Sequence, residues 1–534
     1  MTGQFFFIGC VDHCNLSFTS AYNENEIARS FHFLYFFIAE LIDMCGIAGE
    51  IRPLGGVSGE RARHVREVLK RRGPDSGGVY LSDSAVLVHT RLCVVDIENG
   101  KQPMSCTRRD GRYIIVYNGE LYNTPELRDE LIARGCEFKG HSDTEVVLNA
   151  FAEFGSECVY KLNGIFAFAV WDEKKRRLFF ARDRIGVKPF FYTVSDGTFI
   201  FASEIKGILA ATDRQPKIDA QGVMEIMLIG PGRTPGYGVF KGIDELKPAH
   251  CGFFDENGMR LHRYWDLTDR EHTENFEQTA EHVRFLVTDA IKRQLVSDVP
   301  IGTFLSGGLD SSIISSVASR KMKEDGRTLQ TFTVNYRDND RFFKATKFQP
   351  NSDSDFVGKM TDYLGCDNHV IEIDTPELVR ALFQAVEARD LPGMADVDSS
   401  LLLFCREIKK HVTVALSGEC ADEIFGGYPW YRDPSVRAVN GFPWAQSTIF
   451  RAGFIRREFT SQINPEEYVQ QKYLATVHST SKLPNLSPLE SRMKEMVRLN
   501  HDWFMQTLLD DKVTEENRGQ INTLCISALY FPRQ

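Results

Sequence analysis

Two units in series are what the sequence predicts: an α+β sandwich of antiparallel sheets, then an α/β unit built on a parallel sheet. From Cys45 to about Leu209, short alternating apolar runs are separated by Gly, Asn and Asp, the pattern of half-buried strands in layered antiparallel sheets. From about Phe276 the period changes, and long helical stretches alternate with short buried runs, as a parallel sheet with crossover helices requires. Between them, Gly230-Pro231-Gly232-Arg233-Thr234-Pro235-Gly236-Tyr237-Gly238 is loop rather than core. A chain of 534 residues has room for both units, at a rough prior of one domain per ~150 residues.

In the first unit, strands are expected at 85–89, 113–117, 166–171 and 178–181. Helical spacing covers 124–134 and 142–154, with helix-start residues at Thr124 and at Ser142 or Asp143. A short β-like stretch over 248–265 is expected to finish the boundary. The second unit then reads as helix 276–296, strand 299–305, helix 311–323, strand 329–334, helices 375–388 and 399–410, and strand 412–416. The expected limits are 1–44 for an extra N-terminal segment, 45–230 for the first unit, 231–270 for the boundary, 271–512 for the second unit and 513–534 for an atypical tail.

With 63 basic and 73 acidic residues the net charge is −10, and no long basic run offers a footprint for nucleic acid. Small-molecule chemistry fits better. Twelve cysteines without repeating spacing argue for reduced thiols in a cytoplasmic setting, not a disulfide framework. Cys10, His13 and Cys14 make at most half a metal site, and no second pair follows. The apolar stretch 31–42 is interrupted by His32 and Glu40 and is shorter than the ~20 residues a membrane helix needs. Asp12, Glu24 and Glu26 precede it with only Arg29 as counterweight, unlike the basic leader of a signal peptide. No membrane or nucleic-acid partner is expected.

Two loops at expected strand ends carry chemistry. After Leu305 comes Ser306-Gly307-Gly308-Leu309-Asp310-Ser311-Ser312, and a helix starts there. Two glycines let backbone N–H groups close around a phosphate, the helix N-terminus adds partial positive charge, and serine hydroxyls donate further hydrogen bonds. No Lys follows the glycines as in a Walker loop, while Asp310 offers a hard oxygen for a magnesium ion between phosphates. Alone, Ser-Gly-Gly is an ordinary turn; the whole heptad at a strand end is an anion cradle. The second loop follows Leu416 and reads Ser417-Gly418-Glu419-Cys420-Ala421-Asp422-Glu423, then Ile424-Phe425-Gly426-Gly427-Tyr428. A merely solvated acidic loop has little reason to sit at a strand end between two apolar runs.

The first loop resembles the pyrophosphatase loop of the ATP-pyrophosphatase family, which cleaves ATP to AMP and pyrophosphate to adenylate a carboxylate or carbonyl oxygen. The second is similar to the corresponding loop of asparagine synthetases. This resemblance implies that Ser306, Gly307, Gly308, Asp310, Ser311, Ser417 and Gly418 contact ATP, and that Asp310 and Asp422 hold Mg2+. Glu419 would act on the attacking ammonia, since ammonium must lose a proton before it attacks an acyl-adenylate. Phe304 and Val334 would line the adenine pocket, although bulky apolar residues there are equally ordinary core.

A third motif heads the first unit: Met44-Cys45-Gly46-Ile47-Ala48-Gly49. It resembles the class II glutamine amidotransferases, in which an N-terminal cysteine attacks the glutamine amide and its own α-amino group is the base. An α-amine titrates near ~7.7–8.0, close enough to neutrality for that role, whereas a peptide nitrogen does not serve. Arg71-Arg72-Gly73-Pro74-Asp75, Tyr117-Asn118-Gly119-Glu120-Leu121-Tyr122-Asn123 and Gly140-His141-Ser142-Asp143-Thr144-Glu145 follow in order. By the resemblance Arg72 grips the glutamine α-carboxylate, Asn118 and the Gly119 N–H form the oxyanion hole, and Glu120 and Asp143 take the α-ammonium side. Individually an Asn-Gly pair is more often a hairpin turn and a lone Arg more often surface. The runs 181–189 and 201–206 extend the likeness to the end of the domain.

Together the halves resemble the glutamine-hydrolysing asparagine synthetase family. The fold so implied is a four-layer N-terminal-nucleophile sandwich followed by a parallel-sheet ATP-pyrophosphatase domain of the adenine nucleotide alpha hydrolase type. The chemistry implied is glutamine hydrolysis at Cys45, activation of aspartate as β-aspartyl-AMP, and displacement of AMP by ammonia kept from water inside the protein. Glutamine, aspartate and ATP would be the substrates, Mg2+ the cofactor, a homodimer the usual assembly and the cytoplasm the location. Two readings stand beside it: a lactam- or peptide-forming synthetase acting on another carboxylate, and a non-catalytic remnant.

Both ends depart from the family pattern. Met44 and the residues before it place the Cys45 nitrogen in a peptide bond, and an upstream start, a cleaved pro-segment or a silent glutaminase would each account for that. After Asp510-Asp511-Lys512 the family would continue with an Asp-Arg-Met-Ser segment, where this chain has Val513-Thr514-Glu515-Glu516-Asn517. The expectation is a truncated or misassembled reading frame of an active parent.

Overall fold

A computed structural model describes residues 44–480, apart from 109–110, 213–214, 231–232, 267–273, 345–353, 420, 426–440 and 443–446. The apolar stretch 31–42, Cys10, His13, Cys14 and the closing segment 481–534 lie outside the described residues.

The first unit is built from β1 (Gly46–Ile51), β2 (Ser76–Leu81), β3 (Ala85–Arg91), β4 (Met104–Arg108), β5 (Gly111–Leu121), β6 (Gly164–Asp172), β7 (Arg177–Arg182), β8 (Phe191–Ser195), β9 (Thr198–Ala202), β10 (Asp244–Glu245), β11 (His250–Asp255) and β12 (Gly258–Arg263). They form two six-stranded sheets, ordered β10-β8-β9-β1-β3-β2 and β12-β11-β7-β6-β5-β4. Within each sheet neighbouring strands run antiparallel, for example β1 against β3 and β5 against β6. Ile47, Leu87, Ile114, Ala167, Phe180 and Phe199 fill the space between the sheets. Helices Thr124–Ala133 and Asp143–Phe154 cover the second sheet through Leu127, Leu131, Val147 and Phe151. Helices Ala62–Val68 and Ile205–Ala211 cover the first through Val65, Ile205 and Ile208. The result is the expected four layers of helix, sheet, sheet and helix. Because β6 is covered on both faces, all nine of its positions are buried and its sequence is almost continuously apolar.

The chain departs from the expected limits at the boundary. Residues 248–265 supply β11 and β12, and β11 pairs with β7 as an integral strand of the second sheet. Phe254 enters the core between the sheets while its neighbour Phe253 packs on the helical side, so this stretch is structural and not linker. Residues 225–229 are also committed elsewhere: Glu225, fully buried, accepts from Tyr468 Oη at 2.5 Å and lies 3.6 Å from Lys472 Nζ, both on the helix Pro465–Thr480.

The second unit is a parallel sheet of β13 (Ile301–Phe304), β14 (Gln330–Tyr336), β15 (Asp367–Ile373) and β16 (Val414–Leu416), ordered β15-β14-β13-β16. Helices Phe276–Gln294 and Leu309–Glu324 cover one face through Leu286, Ile291, Ile314 and Val317. Helices Thr375–Arg389 and Ala395–Ile408 cover the other through Leu378, Phe404 and Ile408. Strand β15 escapes sequence reading because it is an edge strand with one fully buried residue, Ile373, so its apolar period is broken.

One apolar core is common to both units. Leu92, Val94, Tyr122 and Ile165 of the sandwich pack with Leu286, Ile291, Ile301, Ile314, Val414, Leu416 and Ile424 of the parallel-sheet unit, and Cys45 packs against the same cluster. Among the described residues no helix is long and apolar enough to cross a membrane, and the eight described cysteines are thiols, none joined in a disulfide.

Candidate active sites

Cys45 heads β1, the strand hydrogen-bonded between β9 and β3 within the first sheet. Its Sγ lies 3.6 Å from the Leu92 carbonyl. The next residue has to be Gly46, since a Cβ there would meet Thr90 Oγ1 at 2.5 Å. Arg72 is buried and donates from Nε to the Cys45 carbonyl at 3.2 Å and from Nη1 to Glu204 at 3.0 Å, which leaves Nη2 buried with no acceptor. Two of the three nitrogens of the guanidinium expected to hold a substrate carboxylate are therefore engaged within the protein, one of them on the backbone of Cys45.

Strand β5 touches β1 across the sandwich and carries Asn118 and Gly119 opposite Ala167 and Phe166 of β6. Asn118 is buried and its Nδ2 has no acceptor, a state that costs about 1–3 kcal/mol unless a ligand oxygen supplies one. Gly119 admits no side chain, because a Cβ would lie 2.5 Å from the Ile165 carbonyl oxygen and 2.8 Å from Phe166 Cβ. The preceding Tyr117 backbone is clamped: its N–H donates to Gln102 at 2.7 Å, and its carbonyl accepts from Gln102 and from His89 Nε2, each at 3.1 Å. His89 is wholly buried, and burial pulls its pKa down to about 3, so it is neutral with its proton on Nε2. Neither Gln102 nor His89 was anticipated. His89 sits in an unbroken buried strand, and buried polarity on such a strand is the one signal in the sequence that could have marked it.

Asp143 accepts from Tyr117 Oη at 3.0 Å and from the backbone N–H groups of Leu121 at 3.2 Å and Thr144 at 2.7 Å. Burial, and then the nearby charge of Glu120, push its carboxyl up to about 7 against those donors. The two expected ammonium-side carboxylates are thus neighbours. If a substrate ammonium is held there, Asp143 must shed its proton to hold it. The KM for glutamine is then expected to rise as pH falls below about 7 and to level off above it. Steady-state glutamate release from a pH unit below that value to a unit above checks this, and Asp143→Asn should raise KM and flatten its pH dependence.

The other motifs meet at the carboxyl edge of the parallel sheet, since β13 and β16 are hydrogen-bonded neighbours with Thr303 opposite Leu416. The Ser306 loop turns at Gly307, whose φ of +81° is readily available only to glycine. Ser306 Oγ and Ser311 Oγ are 3.1 Å apart, Gly308 N–H donates to Ser306 Oγ at 3.4 Å, and Ser311 Oγ donates to the Gly308 carbonyl at 3.2 Å. No side chain caps the helix Leu309–Glu324. The second loop rests directly on the first: a Cβ on Gly418 would be 2.9 Å from Asp310 Cβ and 3.1 Å from Ser311 N. Ser417 is buried, its Oγ accepting from Glu419 N–H at 3.3 Å, and the helix Ala421–Phe425 that follows carries Asp422. Burial raises the Asp310 carboxyl. Asp310 and Asp422 are hard oxygen donors in the number Mg2+ usually takes from protein beside phosphates, so the donor set fits that ion.

Phe304 and Val334 both reach the cluster around Phe332 and Phe404, where the Phe304 and Phe404 rings stand edge-on with centroids 5.0 Å apart. Phe304 also lines a cavity of about 260 Å³ between the units, with Pro74, Asp75, Leu92, Cys93 and Ile97 on one side and Cys405, Ile408 and Val414 on the other.

Fold and sites together define an amidotransferase sandwich joined to a nucleotide-binding synthetase sheet. Comparison with known proteins agrees: residues 44–265 match the glutamine amidotransferase domain family and residues 282–518 the asparagine synthase family. The chain is 49% identical over 472 residues to glutamine-hydrolysing asparagine synthetase 3 of Bacillus subtilis strain 168, covering 88% of this chain and 76% of that protein. It is 35% identical over 396 residues to asparagine synthetase 1 of the same organism, covering 73% of this chain and 60% of that protein. The chain belongs to the glutamine-hydrolysing asparagine synthetase family, ligases that use ATP to make asparagine with nitrogen from glutamine.

Proposed function

We propose that Cys45, once it carries a free α-amine, hydrolyses glutamine, and that the ammonia reaches a β-aspartyl adenylate formed at the parallel-sheet edge without entering bulk water. In the first step the amine takes the Cys45 thiol proton, the sulfur attacks the amide carbon, and Asn118 Nδ2 with the Gly119 N–H receives the oxyanion. The C–N bond then breaks as the amine returns the proton to the leaving ammonia, and water hydrolyses the thioester to glutamate and free Cys45. Glu120 and Asp143 take the substrate ammonium, and the unpaired Nη2 of Arg72 is offered to its carboxylate. In the second, Ser306, Gly307, Gly308, Ser311, Ser417 and Gly418 cradle ATP, with Phe304 and Val334 toward the adenine. Asp310 and Asp422 would hold Mg2+, which supplies charge neutralisation to the pyrophosphate. Glu419 accepts a proton from the attacking nitrogen.

The observation that carries this reading is the common apolar core, which Cys45 packs against and to which Leu416 and Ile424, on either side of the Ser417 loop in sequence, both belong. A water-poor interior keeps ammonia unprotonated and therefore nucleophilic. A homodimer and a cytoplasmic location belong to the same proposal. The test is pyrophosphate release from ATP with aspartate present and absent. Release that needs aspartate and yields asparagine supports the reading. Release that needs a different carboxylate would make the chain a lactam- or peptide-forming relative, and none at all would leave a remnant.

A further inference from the structure

A buried chain of alternating charges runs from the Cys45 backbone into the parallel-sheet unit. Arg72 Nε donates to the Cys45 carbonyl at 3.2 Å, and Arg72 Nη1 pairs with Glu204 at 3.0 Å. The other Glu204 oxygen takes Lys206 Nζ at 2.9 Å, and Lys206 Nζ lies 3.2 Å from Asp390 Oδ1. Asp390 Oδ2 accepts the Lys206 backbone N–H at 2.9 Å, and Lys206 Nζ also donates to the Ala388 carbonyl at 3.3 Å. Asp390 ends the helix Thr375–Arg389 in a left-handed conformation, φ +62°, which Asp and Asn adopt more readily than other residues with a side chain. The residue before it, Arg389, pairs with Asp398 at 2.5 Å, both buried, on the next helix, Ala395–Ile408. That helix leads through β16 to Ser417. Leu391, one residue past Asp390, is buried in the same cluster as Val65 and Ile205 of the sandwich.

We infer that Glu204, Lys206 and Asp390 are positioning residues through which the synthetase unit sets Arg72, and hence the backbone of the nucleophile. Four charges in alternating sign, little reached by water, hold one another at a cost in desolvation that each repays only while its neighbour is in place. Moving the Asp390 turn withdraws one partner of Lys206. Glu204 then has its cation free to shift, and Arg72 loses the geometry that fixes the Cys45 carbonyl. The helix that ends at Asp390 is one connection away from the helix feeding the Ser417 loop. A change on the nucleotide side is thereby transmitted to the glutaminase.

The inference rests on the reading of Cys45 as nucleophile, and the test separates the two. In the full protein, Asp390→Asn keeps shape and leaves Lys206 paired with Glu204. Its expected effect is a fall of roughly tenfold in kcat/KM for glutamine hydrolysis, through kcat by the Cys45 backbone and through KM by the Arg72 contact to the substrate carboxylate, with synthesis from ammonium salts intact. Asp390→Glu should recover part of the loss. Hydrolysis within twofold of the parent would overturn the relay, and so would an equal fall in the glutamine- and ammonia-driven rates, which marks a general loss of structure. Should Asp390→Asn fail to fold, Glu204→Gln, which cuts the chain in the middle without changing volume, carries the same expectations. A parent that releases no glutamate from glutamine overturns the reading of Cys45 and the relay with it, whereas an active parent that both variants match overturns the relay alone.

Discussion

Cys45→Ala is expected to abolish glutamine hydrolysis, by at least ~10³-fold in kcat, while asparagine synthesis from ammonium salts continues. The side chain supplies the only bond-forming atom of the first half-reaction, and Asn118 and Gly119 have nothing to stabilise without a tetrahedral adduct. The second half-reaction is assembled from residues after 300, and the Cys45 side chain meets that unit in the apolar core, where a cysteine-to-alanine change is small. The same split should separate a chain that starts at Cys45 from one that retains Met44. Met44 is buried, with its sulfur 3.3 Å from Lys188 Nζ, and its peptide bond removes the base that the thiol needs. Glutaminase assays on the two forms, each with an ammonium-driven control, read both effects. Equal glutaminase rates with and without Met44 would mean that another group takes the thiol proton.

The second large effect is expected at Gly418. Its missing side chain lets the two loops touch, and an alanine methyl would have to displace Asp310 Cβ or Ser311 N, both fixed at the start of the helix Leu309–Glu324. A shift of about 1 Å in a positioning loop costs on the order of 100-fold in rate. Gly418→Ala should therefore depress aspartate-dependent pyrophosphate release by that order and leave glutamine hydrolysis near the parental rate. Gly358→Ala is the matched control. That glycine is exposed in the helix Ser354–Leu364 with nothing within 4 Å of a built Cβ, so alanine there favours the helix and should leave both rates alone. A Gly418→Ala enzyme with full pyrophosphate release would show that the loops are not in contact during catalysis.

The sites were unevenly legible. The Ser306 and Ser417 loops were readable as a pair of strand-end loops because each combines small residues with carboxylates immediately after an apolar run, and β13 and β16 do place them side by side. The Asn118-Gly119 pair was readable as a candidate, yet the sequence could not say that Asn118 is buried with an unsatisfied donor. Arg72 shows the limit more sharply. The resemblance makes it a partner for a substrate carboxylate, and the sequence could not show that two of its three nitrogens are bonded to the Cys45 carbonyl and to Glu204, 132 positions away, with Nη2 left over. The stretch 248–265 read as boundary because its few apolar residues look like a short hairpin, and only the pairing of β11 with β7 makes it part of the sandwich.

By itself the sequence determined the two fold classes, their order along the chain, the strand ends that carry the Ser306 and Ser417 loops and the residue types that make glutamine and nucleotide chemistry possible. Those are local matters: the period of burial along an element and the reactivity of a side chain are properties of a few neighbouring residues. The tertiary structure alone decided the apolar core common to both units, the neutral His89 behind Tyr117 and the charge chain from Arg72 to Asp390. Each depends on which distant groups are brought within a few ångströms and cut off from water, and burial and pairing at that range are set by packing, not by spacing along the chain.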